Sequence, residues 1–159
     1  MRLAPFALAA IASLAVAAPA GARIVPQQGM IGVKLQMSGR DIVSQKGVPD
    51  EARTVKHPVM GTVSEYRYGK TKILFDGVGL AAHAMSFTTR DRKERTIRGI
   101  GIGSTKAQVK AKVAHAKCEN ELGVRHCYVG KFEAGERVTD FFLTKKNRVS
   151  SVTVGFVID

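Results

Sequence analysis

The sequence predicts an α+β fold of two tandem units, each a helix followed by an antiparallel meander, with the helices packed on one face of the sheet. Three observations predict it. Residues 99–109 resemble an earlier stretch at residues 32–42. Each stretch carries a helix-capping signal, and each is followed by short alternating segments separated by turn residues.

The helix of the first unit is expected to begin after Ser38. Ser38-x-x-Asp41 has the form of an N-cap, in which the hydroxyl accepts from an early backbone N–H. Before it, the alternation in residues 33–36 predicts a short half-buried strand. Gly47 and Pro49 end the helix, because glycine supplies a terminating conformation and proline cannot continue it.

Three strands are expected to follow in the first unit. Residues 51–61 are polar and contain Pro58 and Gly61, which predicts a loop before the strands. The strands combine β-forming with polar residues and are separated by turn pairs; they cover residues 62–68, 71–75 and about 78–88.

The second unit has the same order. Thr105-x-x-Gln108 predicts a capped helix over residues 105–117. Gly123 prevents the helix from continuing into the next element. Strands are expected at residues 126–130, 137–144 and 151–158. The last is the clearest, because its apolar residues alternate onto one face.

The N-terminal segment has the pattern of a cleaved signal peptide. Arg2 precedes an apolar run, and the small residues Ala20 and Ala22 follow it. No other stretch is apolar and long enough to cross a membrane. We therefore expect export to the bacterial envelope or the medium. The predicted domains are a signal peptide at 1–22, a first repeat at 23–89, a charged linker at 90–98 and a second repeat at 99–159.

Cys118 and Cys127 are the two cysteines of the chain. In an exported protein, an even number of cysteines predicts a disulfide. A metal site is the alternative, since these cysteines with His115 and His126 make four possible ligands. Neighbouring residues of a strand point to opposite faces, so His126 and Cys127 converge poorly on one ion. We therefore expect the disulfide and no metal site.

The glycines of the repeated stretch do not match a nucleotide site. A dinucleotide fingerprint that starts at Gly99 needs a sixth-position glycine, where the chain has Ser104. A phosphate-binding loop needs Gly-Lys-Ser/Thr, which residues 103–106 carry in another order. No histidine or carboxylate belongs to a catalytic motif, and Asp140 is expected to face solvent on an edge strand. We expect no enzymatic activity, no catalytic residues and no cofactor.

The chain is strongly basic, with a formal net charge of +12. Such a field attracts anionic partners, which in the envelope would be an anionic polymer or an acidic protein. Export, and the absence of aromatics among the basic residues, argue against nucleic acid. The candidate anion-binding residues are Arg90, Arg92, Lys93, Arg95, Arg98, Lys145, Lys146 and Arg148. The predicted second helix adds Lys106, Lys110, Lys112 and Lys117.

The pattern Leu35-x-Met37-Ser38-x-x-Asp41-Ile42-Val43, followed by Gly47-x-Pro49-Asp50, resembles the opening of small secreted α+β domains. Two such families are the outer-membrane-assembly lipoproteins of the SmpA/OmlA type and the tandem-repeat β-lactamase inhibitor proteins. The resemblance implies helices packed on one face of a small antiparallel sheet. This chain lacks the lipidated cysteine of the lipoproteins and the aromatic-rich face of the inhibitor, so β-lactamase inhibition is not carried over.

The predicted function is a secreted or envelope-associated, non-enzymatic binding module for an anionic envelope polymer or an acidic protein. One alternative is a protein inhibitor of an exported hydrolase, which an uncharged face with exposed Tyr66, Tyr68 or Phe87 would favour. The other is a small secreted enzyme of unknown chemistry, which a pocket with convergent histidine and carboxylate groups would favour.

Overall fold

The structure is a computed structural model that describes residues 24–158. The predicted signal peptide lies outside the described residues. Within them, no helix is long and apolar enough to cross a membrane. The strands are β1 (Gly29–Met30), β2 (Val33–Lys34), β3 (Glu51–His57), β4 (Gly61–Tyr68), β5 (Thr71–Phe75), β6 (Ala84–Thr89), β7 (Lys117–Glu121), β8 (Val124–Val129), β9 (Arg137–Leu143) and β10 (Val149–Phe156). The helices are α1 (Gly39–Lys46) and α2 (Lys106–Lys112).

The prediction of an α+β fold with two helix-plus-meander units is wrong. The described chain is mostly β, and eight of its strands form one continuous antiparallel sheet in the order β3-β4-β5-β6-β10-β9-β8-β7. The helices are only 8 and 7 residues long, and each buries a single apolar side chain, Ile42 and Val109. Two helices of about two turns cannot cover a sheet of this width.

The sheet is joined at its centre by β6 and β10. Val152 lies opposite Thr89 and Val154 opposite Phe87 in this antiparallel pair. Both valines and Phe87 are fully buried, together with Phe75 and Phe141 of the neighbouring strands. The core therefore continues across the middle of the sheet, and the described chain has one main hydrophobic cluster.

Both predicted helix N-caps are confirmed. Ser38 Oγ accepts from the backbone N–H of Asp41 at 3.1 Å. Thr105 Oγ1 accepts from the N–H of Gln108 at 3.2 Å, while Gln108 Oε1 accepts from the N–H of Thr105 at 2.9 Å. The second cap is thus a complete capping box. The predicted helix over 105–117 is too long, because Val113 has extended backbone and ends α2.

The two edge strands of the sheet are absent from the sequence-based prediction. Residues 51–57 were expected in a loop but form β3, and residues 117–121 form β7 where the end of a helix was expected. The predicted strand at 78–88 begins only at Ala84. Strands at 62–68, 71–75 and 137–144 agree with β4, β5 and β9 within a residue.

The two aligned stretches have similar backbone conformations. Gly32 and Gly99 both have positive φ, at 84° and 78°, and so do Gln36 and Gly103, at 67° and 88°. Each stretch then leads into a capped helix. The internal repeat itself stays a prediction, as do the domain boundaries, of which the expected linker at 90–98 falls between β6 and α2.

Candidate functional site

A glycine-rich loop, residues 99–103, is fixed against the start of β10. The N–H of Gly103 donates to the carbonyl of Val149 at 2.8 Å, and the N–H of Val149 donates back to Ser104 at 2.8 Å. The positive φ of Gly103 makes this turn, since the left-handed region is costly for residues with a Cβ atom. The backbone of the loop is therefore held in one conformation against β10.

Two arginines bind the carbonyl groups of this loop. Arg95 Nη1 donates to the carbonyl of Gly99 at 2.8 Å, and Arg95 Nη2 lies 3.4 Å from that of Ile102. Arg148 Nη1 donates to the carbonyl of Gly103 at 3.0 Å. These bonds fix both guanidinium groups without neutralising them, because a carbonyl oxygen carries no net charge. Each guanidinium keeps further N–H donors for a ligand.

A basic cleft of about 550 Å³ lies at this loop. Its charged lining consists of Arg92, Arg95, Lys112 and Arg148. A second cleft of about 530 Å³ adjoins it, shares Arg92 and Arg148, and adds Lys145 and Lys146. We call the two together the basic cleft. Its six basic side chains belong to exposed residues.

The six basic residues of the cleft have no acidic partner. The ion pairs of the described residues, defined by an N···O distance of at most 4.0 Å, involve other side chains. The like charges on these neighbouring side chains repel one another, and none of the six forms an ion pair with a carboxylate of the described residues. The cleft is thus a positively charged concave surface available to an anion.

The structure divides the eight predicted anion-binding residues. It brings five of them together in the basic cleft: Arg92, Arg95, Lys145, Lys146 and Arg148. Arg90 lies elsewhere, in a groove with Lys70 and Lys72. Lys93 and Arg98 are exposed and do not line either part of the cleft.

Lys112 was predicted only as one of several helix lysines, yet it lines the cleft together with Gln108. The two residues are four positions apart and so share a helix face. The four-residue spacing is the sequence signal that places Lys112 on the same side of the helix as Gln108. Lys106, Lys110 and Lys117 do not line the cleft.

Glu94 is buried within the charged segment that carries Arg92 and Arg95. Its carboxylate Oε2 has no hydrogen-bond partner among the described residues. Burial raises the pKa of Glu94, and the nearby charge of Asp91 raises it further. The sequence gives no sign of this burial, because Glu94 lies in a run of charged residues, a pattern that is typical of an exposed segment.

Asp140 and His126 form a buried, hydrogen-bonded pair on neighbouring strands. The expectation that Asp140 faces solvent on an edge strand is wrong, because β9 lies inside the sheet between β8 and β10. The side chains of His126 and Asp140 are only 8% and 11% exposed, and His126 Nδ1 lies 2.9 Å from Asp140 Oδ2. Burial raises the pKa of Asp140, while the hydrogen bond to His126 opposes that shift.

The structure buries two of the three aromatic residues whose exposure would favour a protein target. Tyr66 and Phe87 are buried in the core. Tyr68 is half-buried, and its hydroxyl donates to the carbonyl of Gly47 at 2.9 Å. These three aromatic residues therefore do not form an exposed recognition face.

The predicted disulfide is present between Cys118 and Cys127, which lie directly opposite each other on β7 and β8. Both sulfur atoms are used in the bond, so the alternative metal site with His115 and His126 does not form. His115 is exposed, whereas His126 is buried.

Comparison with known proteins gives little further information. Neither a family model nor a curated protein matches the sequence. Among solved structures, the fold is similar to that of a cysteine-rich secretory protein from Staphylococcus aureus, with a TM-score of 0.42 and 9% sequence identity. The match covers 77% of this chain, which spans 44% of the length of that protein.

Proposed function

We propose that the chain is a secreted or envelope-associated, non-enzymatic binding module whose basic cleft takes an anionic envelope polymer. The observation that carries the proposal is the cluster of six exposed basic side chains, without acidic partners, around one continuous concave surface. Like charges gathered in this way destabilise the free protein, and a bound anion removes that cost.

The arginines favour anions with several oxygen atoms. A guanidinium presents its donors in a planar fork that matches a carboxylate or a phosphate. Arg95 and Arg148 are already fixed on the 99–103 loop by backbone carbonyls. Less conformational entropy is lost when such a fixed side chain binds its ligand. The cleft is therefore preorganised for an oxyanion.

The shape of the site favours a polymer over a single small ion. The two parts of the cleft adjoin and share Arg92 and Arg148, so the charged lining continues from Arg95 and Lys112 to Lys145 and Lys146. A chain of regularly spaced anionic groups occupies such a surface at several points at once, and multiple contacts strengthen the overall binding.

The disulfide supports the proposed location. Disulfides form and persist in oxidising compartments and are rare in the cytosol. The bond between Cys118 and Cys127 thus agrees with an exported protein. The alternative of a hydrolase inhibitor loses its supporting feature, because Tyr66 and Phe87 are buried.

The test measures binding of labelled polyphosphate and poly-γ-glutamate at increasing salt concentration. We expect affinity to fall steeply with salt, because each neutralised contact releases counterions. The double variant Arg92→Gln with Lys146→Gln should bind roughly tenfold more weakly, since each lost charge contributes on the order of 0.7 kcal/mol.

The matched control is Lys93→Gln with Arg98→Gln. It also removes one lysine and one arginine, both exposed and outside the cleft. Its affinity should stay close to that of the parent protein. Equal losses in the two double variants would mean a diffuse basic field without a site, and absence of salt-dependent binding to either polymer would contradict the proposed function.

A further inference from the structure

Three potential metal ligands meet on the hairpin formed by β7 and β8. A ring nitrogen of His126 and carboxylate oxygens of Glu119 and Glu121 lie within 4.8 Å of one another. We propose that these three residues bind a divalent transition-metal ion, with Zn²⁺ as the best match. This inference is independent of the proposed anion binding, because it involves none of the residues of the basic cleft.

The strand register places the ligands on one face. Glu119 lies directly opposite His126 in the antiparallel pair. Glu121 is two residues further along β7, and side chains two apart on a strand point the same way. Bonds of about 2.0–2.2 Å to Zn²⁺ bring the ligands of one ion to roughly 3–4 Å apart. Both glutamates are exposed, so their side chains have room to rotate toward that spacing.

The Nε2 atom of His126 has no hydrogen-bond partner among the described residues, which indicates that it binds a ligand. Nδ1 is bonded to Asp140, whereas Nε2 is buried. The whole side chain is only 8% exposed. A buried polar atom without a partner costs free energy. A metal ion bound to Nε2 removes that cost.

Two further contacts orient the ligands. His126 Nδ1 lies 2.9 Å from Asp140 Oδ2, and a carboxylate only accepts, so this contact favours the neutral tautomer that carries its proton on Nδ1 and leaves the lone pair on Nε2 available. Tyr128 donates from its hydroxyl to Glu119 Oε1 at 2.7 Å. Metal-bound histidine almost always makes such a bond through its other ring nitrogen, and metal-bound carboxylates are themselves hydrogen-bonded. The arrangement is that of a metal site with its supporting shell.

The surroundings keep this site rigid and negative. The disulfide between Cys118 and Cys127 joins β7 to β8 at the residue pair next to Glu119 and His126. The three carboxylates of Glu119, Glu121 and Asp140 lie around one imidazole. Because the chain as a whole has a net charge of +12, this local excess of carboxylates is a marked exception that attracts a cation.

The donor set selects the class of metal. Mg²⁺ and Ca²⁺ prefer ligand sets made of oxygen atoms alone, so the imidazole disfavours them. Imidazole and carboxylate together suit Zn²⁺, which takes four tetrahedral ligands. Three protein ligands leave one position for water or another donor.

The test uses the oxidised protein without a histidine tag, freed of metal by a chelator, and titrates it with Zn²⁺ alone by calorimetry. Non-reducing conditions keep the cysteines out of the reaction. We expect one Zn²⁺ per chain and a large change in the ¹⁵N shift of His126 Nε2. Glu119→Gln with Glu121→Gln should weaken binding at least tenfold, and Asp140→Asn by about 10–100-fold.

The matched control is Glu133→Gln with Glu136→Gln, which removes two exposed carboxylates outside the cluster. It should bind Zn²⁺ as the parent protein does. The proposal is overturned if the parent protein binds no Zn²⁺, if the control loses affinity equally, or if binding leaves the His126 signal unchanged. Because Glu119 and Glu121 are exposed, we expect their replacement by glutamine to leave the fold intact. Circular dichroism of the double variant checks this, so that weaker Zn²⁺ binding is not mistaken for misfolding.

Discussion

Arg148 donates from Nη1 to the carbonyl of Gly103 at 3.0 Å, although the two residues are 45 positions apart in the chain. The bond joins the turn before β10 to the glycine-rich loop before α2. The same two segments share backbone hydrogen bonds between Gly103, Ser104 and Val149. The guanidinium of Arg148 thus both stabilises the loop and supplies charge to the basic cleft.

Replacing Arg148 should therefore affect stability and binding together. For Arg148→Gln we expect weaker binding of polyphosphate and a loss of roughly 0.5–1 kcal/mol in the free energy of unfolding, since the lost hydrogen bond is exposed. Lys146→Gln removes an equal charge from a side chain that makes no hydrogen bond within the described residues, so it should weaken binding without this loss of stability. Urea denaturation and salt-dependent binding separate the two effects, and identical stability of both variants would contradict the role of Arg148 in the loop.

The N-caps give a second prediction. Ser38→Ala and Thr105→Ala should each lower the free energy of unfolding by about 0.5–2 kcal/mol, because each leaves an amide at the helix start without its acceptor. The control is Ser44→Ala, an exposed position inside α1 where alanine favours the helix. Denaturant unfolding of the three variants measures the difference. If Ser44→Ala costs as much as either cap variant, the caps do not stabilise the helices.

Glu94 gives a prediction on pH. Burial raises the pKa of Glu94 in the folded protein above its value in the unfolded chain. Folding therefore favours the protonated carboxyl, and this contribution to stability is fully present below the unfolded pKa. It is lost as the pH rises from the unfolded pKa through the folded one.

Glu94→Gln cannot ionise, so its stability should lack that decline across the acidic range. Urea midpoints of both proteins at a series of pH values check this. Glu133→Gln, at an exposed position, serves as the control and should keep the slope of the parent protein. A parallel pH dependence of Glu94→Gln and the parent would show that Glu94 ionises normally.

The disulfide gives a fourth prediction. Cys118→Ser with Cys127→Ser should lower the free energy of unfolding by about 2–3 kcal/mol in the chain-entropy model for a loop of this size. Cys127 is fully buried, so a hydroxyl there adds a further cost. The double variant Cys118→Ala with Cys127→Ala avoids buried hydroxyls, so its loss of stability reports mainly the loss of the disulfide. Unchanged stability of the alanine pair would mean that the disulfide does not constrain the unfolded chain.

The strands that the sequence did not reveal are the two at the edges of the sheet. In β3 all seven residues are exposed or half-buried, and in β7 only Cys118 is even half-buried. Edge strands of natural sheets are often charged, because a polar edge discourages pairing with other chains. Hydrophobic alternation, which predicted the last strand, β10, is therefore missing where the sheet ends.

The pairing of β6 with β10 could not be predicted either. It joins residues more than 60 positions apart, such as Phe87 and Val154, and no local pattern specifies a partner at that distance. The basic cleft was partly predicted for the opposite reason: its residues cluster within two short segments of sequence. Glu94, His126 and Asp140 were missed, because local patterns do not show which polar side chains become buried.

The central position of β10 in the sheet determines when the protein is able to fold. Strands β3 to β6 and β7 to β9 each follow one another in sequence, so their hairpins close over short loops. Their mutual connection waits for residues 149–156, which occupy the gap between β6 and β9. Non-local pairing of this kind slows folding. We therefore expect the two parts of the sheet, β3–β6 and β7–β9, to stay unjoined until residues 149–156 pair with both β6 and β9.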